Sequence, residues 1–210
     1  QELDSIHIHS DTLMITGKPE NRIIRGFYHS KMYKSDMNGK CDSIHINEKT
    51  GLTQMIGKPV VWSGNSQMTG DSIHLINDRK TEKMDTLKVF YNAFMIQKDS
   101  IEGYNQVKGK KMTAYFTDNK MSRMNVEGNG QSIFILTDEE TNDKIGLNYT
   151  ECTDLILYFK NNKLDMINYK IKPNSITTPY KDLEEKNRYL KGFNWRGSEQ
   201  PKSKEDIFIE

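Results

Sequence analysis

Four histidines lie in or beside a repeated phrase and are the first candidates for chemistry. His7, His45 and His74 occupy the same slot of the phrase D-S-I-H, and His9 follows His7 by two residues. Stacked strands would bring these imidazoles together, and imidazole is a common ligand for transition metals. However, the histidines fall on the face opposite the isoleucines, and no carboxylate stands close by to orient them. We interpret them as a surface ladder and predict neither a metal nor another cofactor.

Carboxylates and hydroxyls recur in the same phrase. The aspartates are Asp4, Asp42 and Asp71, and a serine follows each of them directly. A carboxylate at a repeated strand entry is typical of turn capping, and the serines lack the G-x-S-x-G pattern of a nucleophile elbow. Since an enzyme needs a unique constellation and every candidate here is replicated, the sequence predicts no catalytic residue.

The elements that carry these residues have the period of β-strands. Full copies of the phrase stand at 4–8, 42–46 and 70–75, and degraded copies at 111–116, 131–135 and 153–157. Within each copy apolar and polar residues alternate, which predicts a half-buried strand. Turns rich in Asn, Asp and Lys follow, as hairpins require. The apolar segment 86–97 is also predicted as a strand, so the chain reads as an all-β protein of repeated hairpins.

The alternation places an apolar stripe on one side of the hairpins. Its predicted members are Ile6, Ile8, Ile44, Ile46, Ile73, Leu75, Phe116, Ile133 and Ile135, with neighbouring Met14, Met55, Met68, Met112 and Met124. We expect this stripe to point inward between two sheets. A plain packed core explains any single member, but 11 methionines also suit an apolar cavity that adapts to mobile hydrocarbon.

Composition excludes several classes of protein. Thirty Lys and Arg residues balance 29 Asp and Glu residues, which gives no basic field for nucleic acid. The sequence contains no run of 18 apolar residues, so it predicts no membrane-spanning helix. Cys41 and Cys152 stand far apart, and we favour two ordinary thiols over a disulfide. The chain begins at Gln1 without an apolar leader, and we interpret it as a mature or trimmed form.

The character of the chain changes after Pro173. Residues 179–190 are predicted to form one short helix, with Pro179 in its first turn and acidic residues early. Trp195 then offers an aromatic anchor, and residues 200–210 form a charged tail that we expect to be mobile. The predicted organisation is a β domain over 1–172 and a C-terminal extension over 173–210.

The repeated unit resembles the OstA-like family of lipopolysaccharide-transport proteins of Gram-negative bacteria. The resemblance rests on MTGDSIHL at 68–75, NGKCDSIHI at 38–46 and VEGNGQSI at 126–133, and extends over about 4–170. It implies an open, twisted β-jelly-roll whose two sheets form a V-shaped trough for the acyl chains of lipid A. It also implies a periplasmic location, with any export signal already removed, and edge-strand pairing with other transport components or head-to-tail with further copies.

The leading hypothesis is therefore a non-enzymatic periplasmic carrier of lipopolysaccharide whose trough is lined by the predicted stripe. Two alternatives remain open. One is a structural or adhesion β-protein with a fully packed core. The other is a β-solenoid enzyme acting on polysaccharide, with carboxylates at Asp138, Glu139 and Glu140, although such an acidic run also fits a solvated hairpin.

Overall fold

The fold is known from a computed structural model that describes residues 5–81, 83–99, 103–138, 140–141, 143–160 and 163–209, with the side chain of Glu20 outside the description. Sixteen antiparallel strands form its body. They are β1 His7–His9, β2 Thr12–Thr16, β3 Ile23–Lys34, β4 Met37–Asn47, β5 Leu52–Ile56, β6 Val60–Ser63, β7 Ser66–Thr69, β8 Ser72–Asn77, β9 Met84–Lys98, β10 Tyr104–Thr117, β11 Lys120–Glu127, β12 Gly130–Thr137, β13 Lys144–Cys152, β14 Asp154–Lys160, β15 Lys163–Lys170 and β16 Asn174–Pro179. The predicted strand 86–97 lies within β9.

The strands divide between two sheets that share their longest members. Sheet one has the order β2-β3-β4-β5-β8-β9-β10-β11-β14-β15, and sheet two has β1-β3-β4-β6-β7-β9-β10-β12-β13-β16. The strands β3, β4, β9 and β10 run through both, because one half of each pairs in sheet one and the other half in sheet two. Successive hairpins thus add a strand to each sheet in turn, and the all-β prediction is confirmed.

The chain turns from one sheet into the other at a row of corners. In β9 the corner is Tyr91 and Asn92, which both have a positive φ. Asp71, at the neighbouring β7–β8 corner, donates its backbone N–H to the carbonyl of Tyr91 and accepts a hydrogen bond from Asn92 at 3.0 Å. This is the turn-stabilising role predicted for Asp71, and it offsets the strain of two left-handed residues. Asp4, for which the same role was predicted, lies outside the described residues.

The core lies between the two sheets. A single cluster of buried side chains runs from Met32 and Ile44 near the N-terminal strands to Leu155 and Leu157 in β14. Alternation explains it, because every second residue of each strand faces the opposite sheet. Cys41 and Cys152 are free thiols, as favoured from the sequence. Burial raises the pKa of Cys41 to about 12, so this thiol remains protonated and unreactive at neutral pH.

The helix predicted over 179–190 does not form. The segment contains two separate 3₁₀ helices, Tyr180–Asp182 and Glu185–Asn187, with extended residues between them. Further 3₁₀ helices are Pro19–Asn21, Gly197–Glu199 and Asp206–Phe208. The physical reason is tertiary. The N–H of Leu190, which an α-helix would direct to the carbonyl of Lys186, bonds instead to the side chain of Gln106, and the same side chain donates to the carbonyl of Arg188.

Residues 180–209, named here the strap, cross the outer face of sheet two. Leu190, Phe193 and Trp195 pack on an outward cluster that includes Phe94 and Ile133. The N-terminal part of the strap lies on β13, and its last 3₁₀ helix reaches β1 and β3. Because β16 continues sheet two up to Pro179, the boundary predicted at 172 precedes the last strand and remains a prediction.

The end of the strap is packed against the sheet, where the sequence predicted a mobile tail. Ile207 is fully buried, and the ring of Phe208 lies 5.2 Å from that of His9. Glu199 accepts hydrogen bonds from Arg196 and from Lys40 of β4, both at 2.7 Å. The bond from Arg196, followed by that from Lys40, lowers the pKa of Glu199 to about 2. The strap is therefore held by charge as well as by apolar contact.

Candidate functional site

A small cavity lies at the side where the hairpin turns of the two sheets approach each other. Its apolar lining consists of Ile6, Met32, Met37, Leu75, Met84 and Phe116. Polar groups surround it, among them Lys34 and Asp36, whose charged atoms lie 3.2 Å apart. The cavity measures about 30 Å³, which is about the space of one water molecule. We name it the mouth, because it lies between solvent and the buried apolar cluster.

Behind the mouth the interior is filled by side chains. Met55, Ile73, Leu87, Val89 and Met112 have no exposed surface. Eight of the chain's 11 methionines belong to this cluster, and a ninth, Met84, packs against it. Methionine has three rotatable bonds and a polarisable sulfur, so it repacks around new contents more readily than a branched side chain does. The interior is filled in this structure, but its methionine side chains can change conformation to make room.

Most of the predicted stripe meets in this interior. Buried members of the cluster are Ile44, Ile73, Leu75, Met55, Met68, Met112 and Met124, and partly buried members packed against it are Ile8, Ile46 and Phe116. Ile6 is 42% exposed at the mouth. Met14 is exposed on the edge strand β2 and does not take part. Sequence reasoning also missed Met37 and Met84 at the mouth, because neither stands in a copy of the phrase.

Ile133 and Ile135 are the predicted members that the structure places elsewhere. Ile133 packs in the outward cluster under the strap, and its neighbour Phe134 faces the interior. Gly130 decides which residues of β12 face inward. A Cβ at this position would lie 2.7 Å from Leu155 across the interior, so this inward position requires glycine. Alternation from an inward Gly130 turns Phe134 inward and the two isoleucines outward. The prediction that both isoleucines point between the sheets is therefore wrong.

The histidine slots do not assemble into one group. His45 and His74 lie on the outer face of sheet one, joined through Gln54, whose amide lies 3.0 Å from one imidazole and 3.2 Å from the other. His7 belongs to β1 in sheet two and stands opposite Tyr33. Among the described residues, no three His, Cys, Asp or Glu side chains are grouped so that they could hold a metal ion.

The acidic run near 139 forms part of a hairpin turn. The carboxylate of Asp138 accepts hydrogen bonds from the backbone N–H groups of Glu140 and Thr141, both at 2.9 Å. These bonds lower the pKa of Asp138, so this carboxylate is committed to the turn. Glu139 lies outside the described residues.

No helix in the described parts of the chain is both long and apolar enough to cross a membrane.

The interior becomes polar towards the C-terminal strands. The hydroxyl of Ser132 lies 3.1 Å from that of Tyr169 on the opposite sheet. Thr150 is fully buried, and its hydroxyl lies 2.9 Å from that of Ser175. Hydrocarbon gains least free energy against such groups. On the sheet-one side, however, Leu164 and Ile167 of β15 still pack against the apolar cluster, so the interior becomes polar mainly on the side of sheet two.

Comparison with known proteins agrees with this architecture. Residues 3–83 match the family described as LptA/(LptD N-terminal domain) LPS transport protein. Over those residues the chain is similar to this family of lipopolysaccharide-transport proteins. The resemblance drawn from the repeated phrase is thereby confirmed. A comparison of the chain with curated protein sequences finds no match.

The fold of a solved structure is similar to this chain over a longer stretch than residues 3–83. It is the crystal structure of LptH, the LptA-homologous periplasmic component of the lipopolysaccharide transport device from Pseudomonas aeruginosa. The TM-score is 0.51 at 16% sequence identity, over 69% of this chain and 97% of that one. The predicted β-jelly-roll is therefore confirmed.

Proposed function

We propose that this OstA-like protein is a non-enzymatic periplasmic carrier of lipopolysaccharide that shields lipid A acyl chains between its two sheets. The observation that carries the proposal is the methionine-rich interior, which is continuous with an apolar mouth at the turn side. Periplasmic lipopolysaccharide transport is the role given to the LptH device, and the family matched by residues 3–83 has the same cargo.

Acyl chains would enter by displacing side chains, since the interior is filled. Each methylene moved from water into an apolar environment is worth about 0.8 kcal/mol, so several methylenes offset a modest cost of repacking methionines. Entry begins at Phe116 and Met84, which are only partly buried at the mouth. Release then requires no chemistry, because closure of the two sheets restores the packed interior.

Photo-crosslinking at the mouth tests this proposal. Benzoylphenylalanine in place of Phe116 is expected to form an adduct with lipopolysaccharide on irradiation, because the probe stands where chains enter. The matched control replaces Tyr189, an aromatic residue of the strap that is 41% exposed on the other side of sheet two, and no adduct is expected there. The adducts are detected by mass spectrometry. Equal labelling at both positions, or none at Phe116, contradicts the proposal.

We further propose that copies of the chain, or other OstA-like components, join end to end. The strands β1 and β2 at one end, and β15 and β16 at the other, each pair on one side only within the described residues. Apolar side chains on them are exposed, including Ile15 at 59%, Met166 at 53% and Ile176 at 56%. Unpaired edges of this kind accept further strands, and stacking would extend both sheets.

Lysine at the C-terminal edge is expected to abolish this association, because charges on an edge strand oppose pairing. The double variant Met166→Lys/Ile176→Lys should elute as a monomer at concentrations where the parent chain assembles, as measured by light scattering. Ile56→Lys, on an internal strand and 53% exposed, should assemble like the parent. A monomeric parent chain, or an assembled double variant, would rule out pairing through this edge.

A structural protein with a permanently packed core is the second candidate, and the small volume of the mouth favours it. The two functions differ in one measurement. Native mass spectrometry of the parent chain mixed with lipopolysaccharide should show a lipid-bound species if the chain is a carrier, and only the free chain if the core never opens.

A further inference from the structure

The outer face of sheet one carries a registered row of polar side chains. Arg25, His45, Gln54, His74 and Lys88 stand directly opposite one another on the successive strands β3, β4, β5, β8 and β9. At about 4.8 Å between strands, the row is about 19 Å long. Unlike the outer face of sheet two, which the strap covers, this row is only partly buried by its own neighbours.

The charge of the row has one sign. Arg25 and Lys88 stand at its two ends, and neither forms an ion pair with a described residue. Two aspartates lie at the borders of these strands, Asp42 and Asp85, and they accept hydrogen bonds from the hydroxyls of Ser43 and Thr86. The row itself therefore carries only positive charge.

The neutral middle of the row supplies hydrogen-bonding groups. Gln54 links His45 and His74. Burial, followed by the nearby charge of Lys88, lowers the pKa of His74, so this imidazole is mainly neutral at pH 7. Recognition in the middle is therefore by hydrogen bonds, and recognition at the ends is by charge.

Apolar side chains stand among Ser, Thr and Asn side chains on both sides of the row. Phe27, Ile56 and Phe90 flank it towards the corners, and Ile23, Leu52 and Ile76 flank it towards the turns. Of these, Phe27 is 36% exposed and Ile56 is 53% exposed, and the other four are partly buried. A bilayer requires a protruding apolar face, which two exposed side chains among polar ones do not supply. A polar line whose borders mix apolar and polar side chains fits sugar rings, which present hydroxyl edges and apolar C–H faces.

We infer that the outer face of sheet one binds an anionic oligosaccharide along the row from Arg25 to Lys88. The negative groups of the glycan pair with the two cations, and its hydroxyls bond to the imidazoles and to Gln54. This surface lies on the opposite side of sheet one from the interior. The inference therefore goes beyond the proposed carriage of acyl chains and does not depend on it.

Fully deacylated lipopolysaccharide, a phosphorylated oligosaccharide without hydrocarbon, is the probe. NMR titration of the parent chain should shift the signals of His45 and His74, and calorimetry should give an affinity that weakens with salt. Arg25→Gln/Lys88→Gln should weaken binding by about tenfold or more, as expected for the loss of charge-assisted bonds. Lys163→Gln/Lys170→Gln, which makes the same change in net charge on exposed β15 positions, should bind like the parent.

Four results would overturn the inference. They are the absence of glycan binding by the parent chain, unchanged affinity in the Arg25 and Lys88 variant, an equal loss in the β15 control, and binding of phosphatidylglycerol vesicles in place of the glycan. Because the probe has no acyl chains, none of these results bears on whether the interior carries lipid.

Discussion

Ile73→Asp is expected to lower the free energy of unfolding by about 4 kcal/mol or more. Ile73 has no exposed surface, and its cross-strand neighbours Met55 and Val89 have none either. A carboxylate there has no polar partner, and burying an unpaired charge costs about 4 kcal/mol or more. Since domains are stable by only about 5–15 kcal/mol, this one change removes a large part of the stability. Urea unfolding followed by circular dichroism measures the effect.

The control is Ile56→Asp on the adjacent strand of the same sheet. Ile56 is 53% exposed, so the new charge stays in water and the free energy of unfolding should change by about 0.5 kcal/mol or less. A wild-type unfolding curve for Ile73→Asp would mean that the interior already contains water. The milder Ile73→Val should cost about 0.5–1.5 kcal/mol and leave a folded chain in which lipid binding can be measured.

Gln106→Ala is expected to release the strap and to destabilise the chain by roughly 2–6 kcal/mol. The side chain of Gln106 is fully buried, and its amide bonds to the carbonyl of Arg188 and the N–H of Leu190, both at 2.8 Å. Alanine leaves both backbone groups without partners under apolar side chains, and each such group costs about 1–3 kcal/mol.

The neighbouring Gln67 performs the same task further along the strap. Its amide donates to the carbonyl of Asn194 at 2.8 Å and accepts from the N–H of Arg196 at 2.6 Å. Gln67→Ala should therefore have a similar cost. Combined with Gln106→Ala, it should expose Trp195, which is seen as a red shift in fluorescence and as faster hydrogen exchange over residues 188–196.

Gln54→Ala is the matched control for both changes. Gln54 is another side-chain amide on a strand, but it faces solvent on sheet one and bonds only to two imidazoles. Its loss should cost about 1 kcal/mol or less and leave Trp195 protected. Unchanged exchange in the strap of the double glutamine variant would show that apolar contacts alone hold it.

The strand-forming pattern of this chain is local, and it could therefore be predicted. Ile44, Ile73 and Leu75 alternate with polar residues inside short repeated phrases, and that period alone indicates a strand with one buried face. The lateral joining of hairpins follows from the repetition, and the role of Asp71 at a corner follows from its place at a strand entry. The family resemblance rests on the same phrases.

The sequence by itself thus determined the strands, their buried faces and the architecture, whereas the tertiary structure decided how these parts meet. Ile133 faces outward because Gly130, three residues earlier in β12, faces inward. At Gly130 a side chain would collide with Leu155 of β14, a contact between two different strands. His7 and His45 lie far apart because the corners of the chain place their strand segments in different sheets, His7 in sheet two and His45 in sheet one. The helix predicted over 179–190 does not form because Gln106, more than 80 residues away, bonds to the backbone of Arg188 and Leu190. A local period cannot encode contacts of this kind, since they exist only after the two sheets have formed.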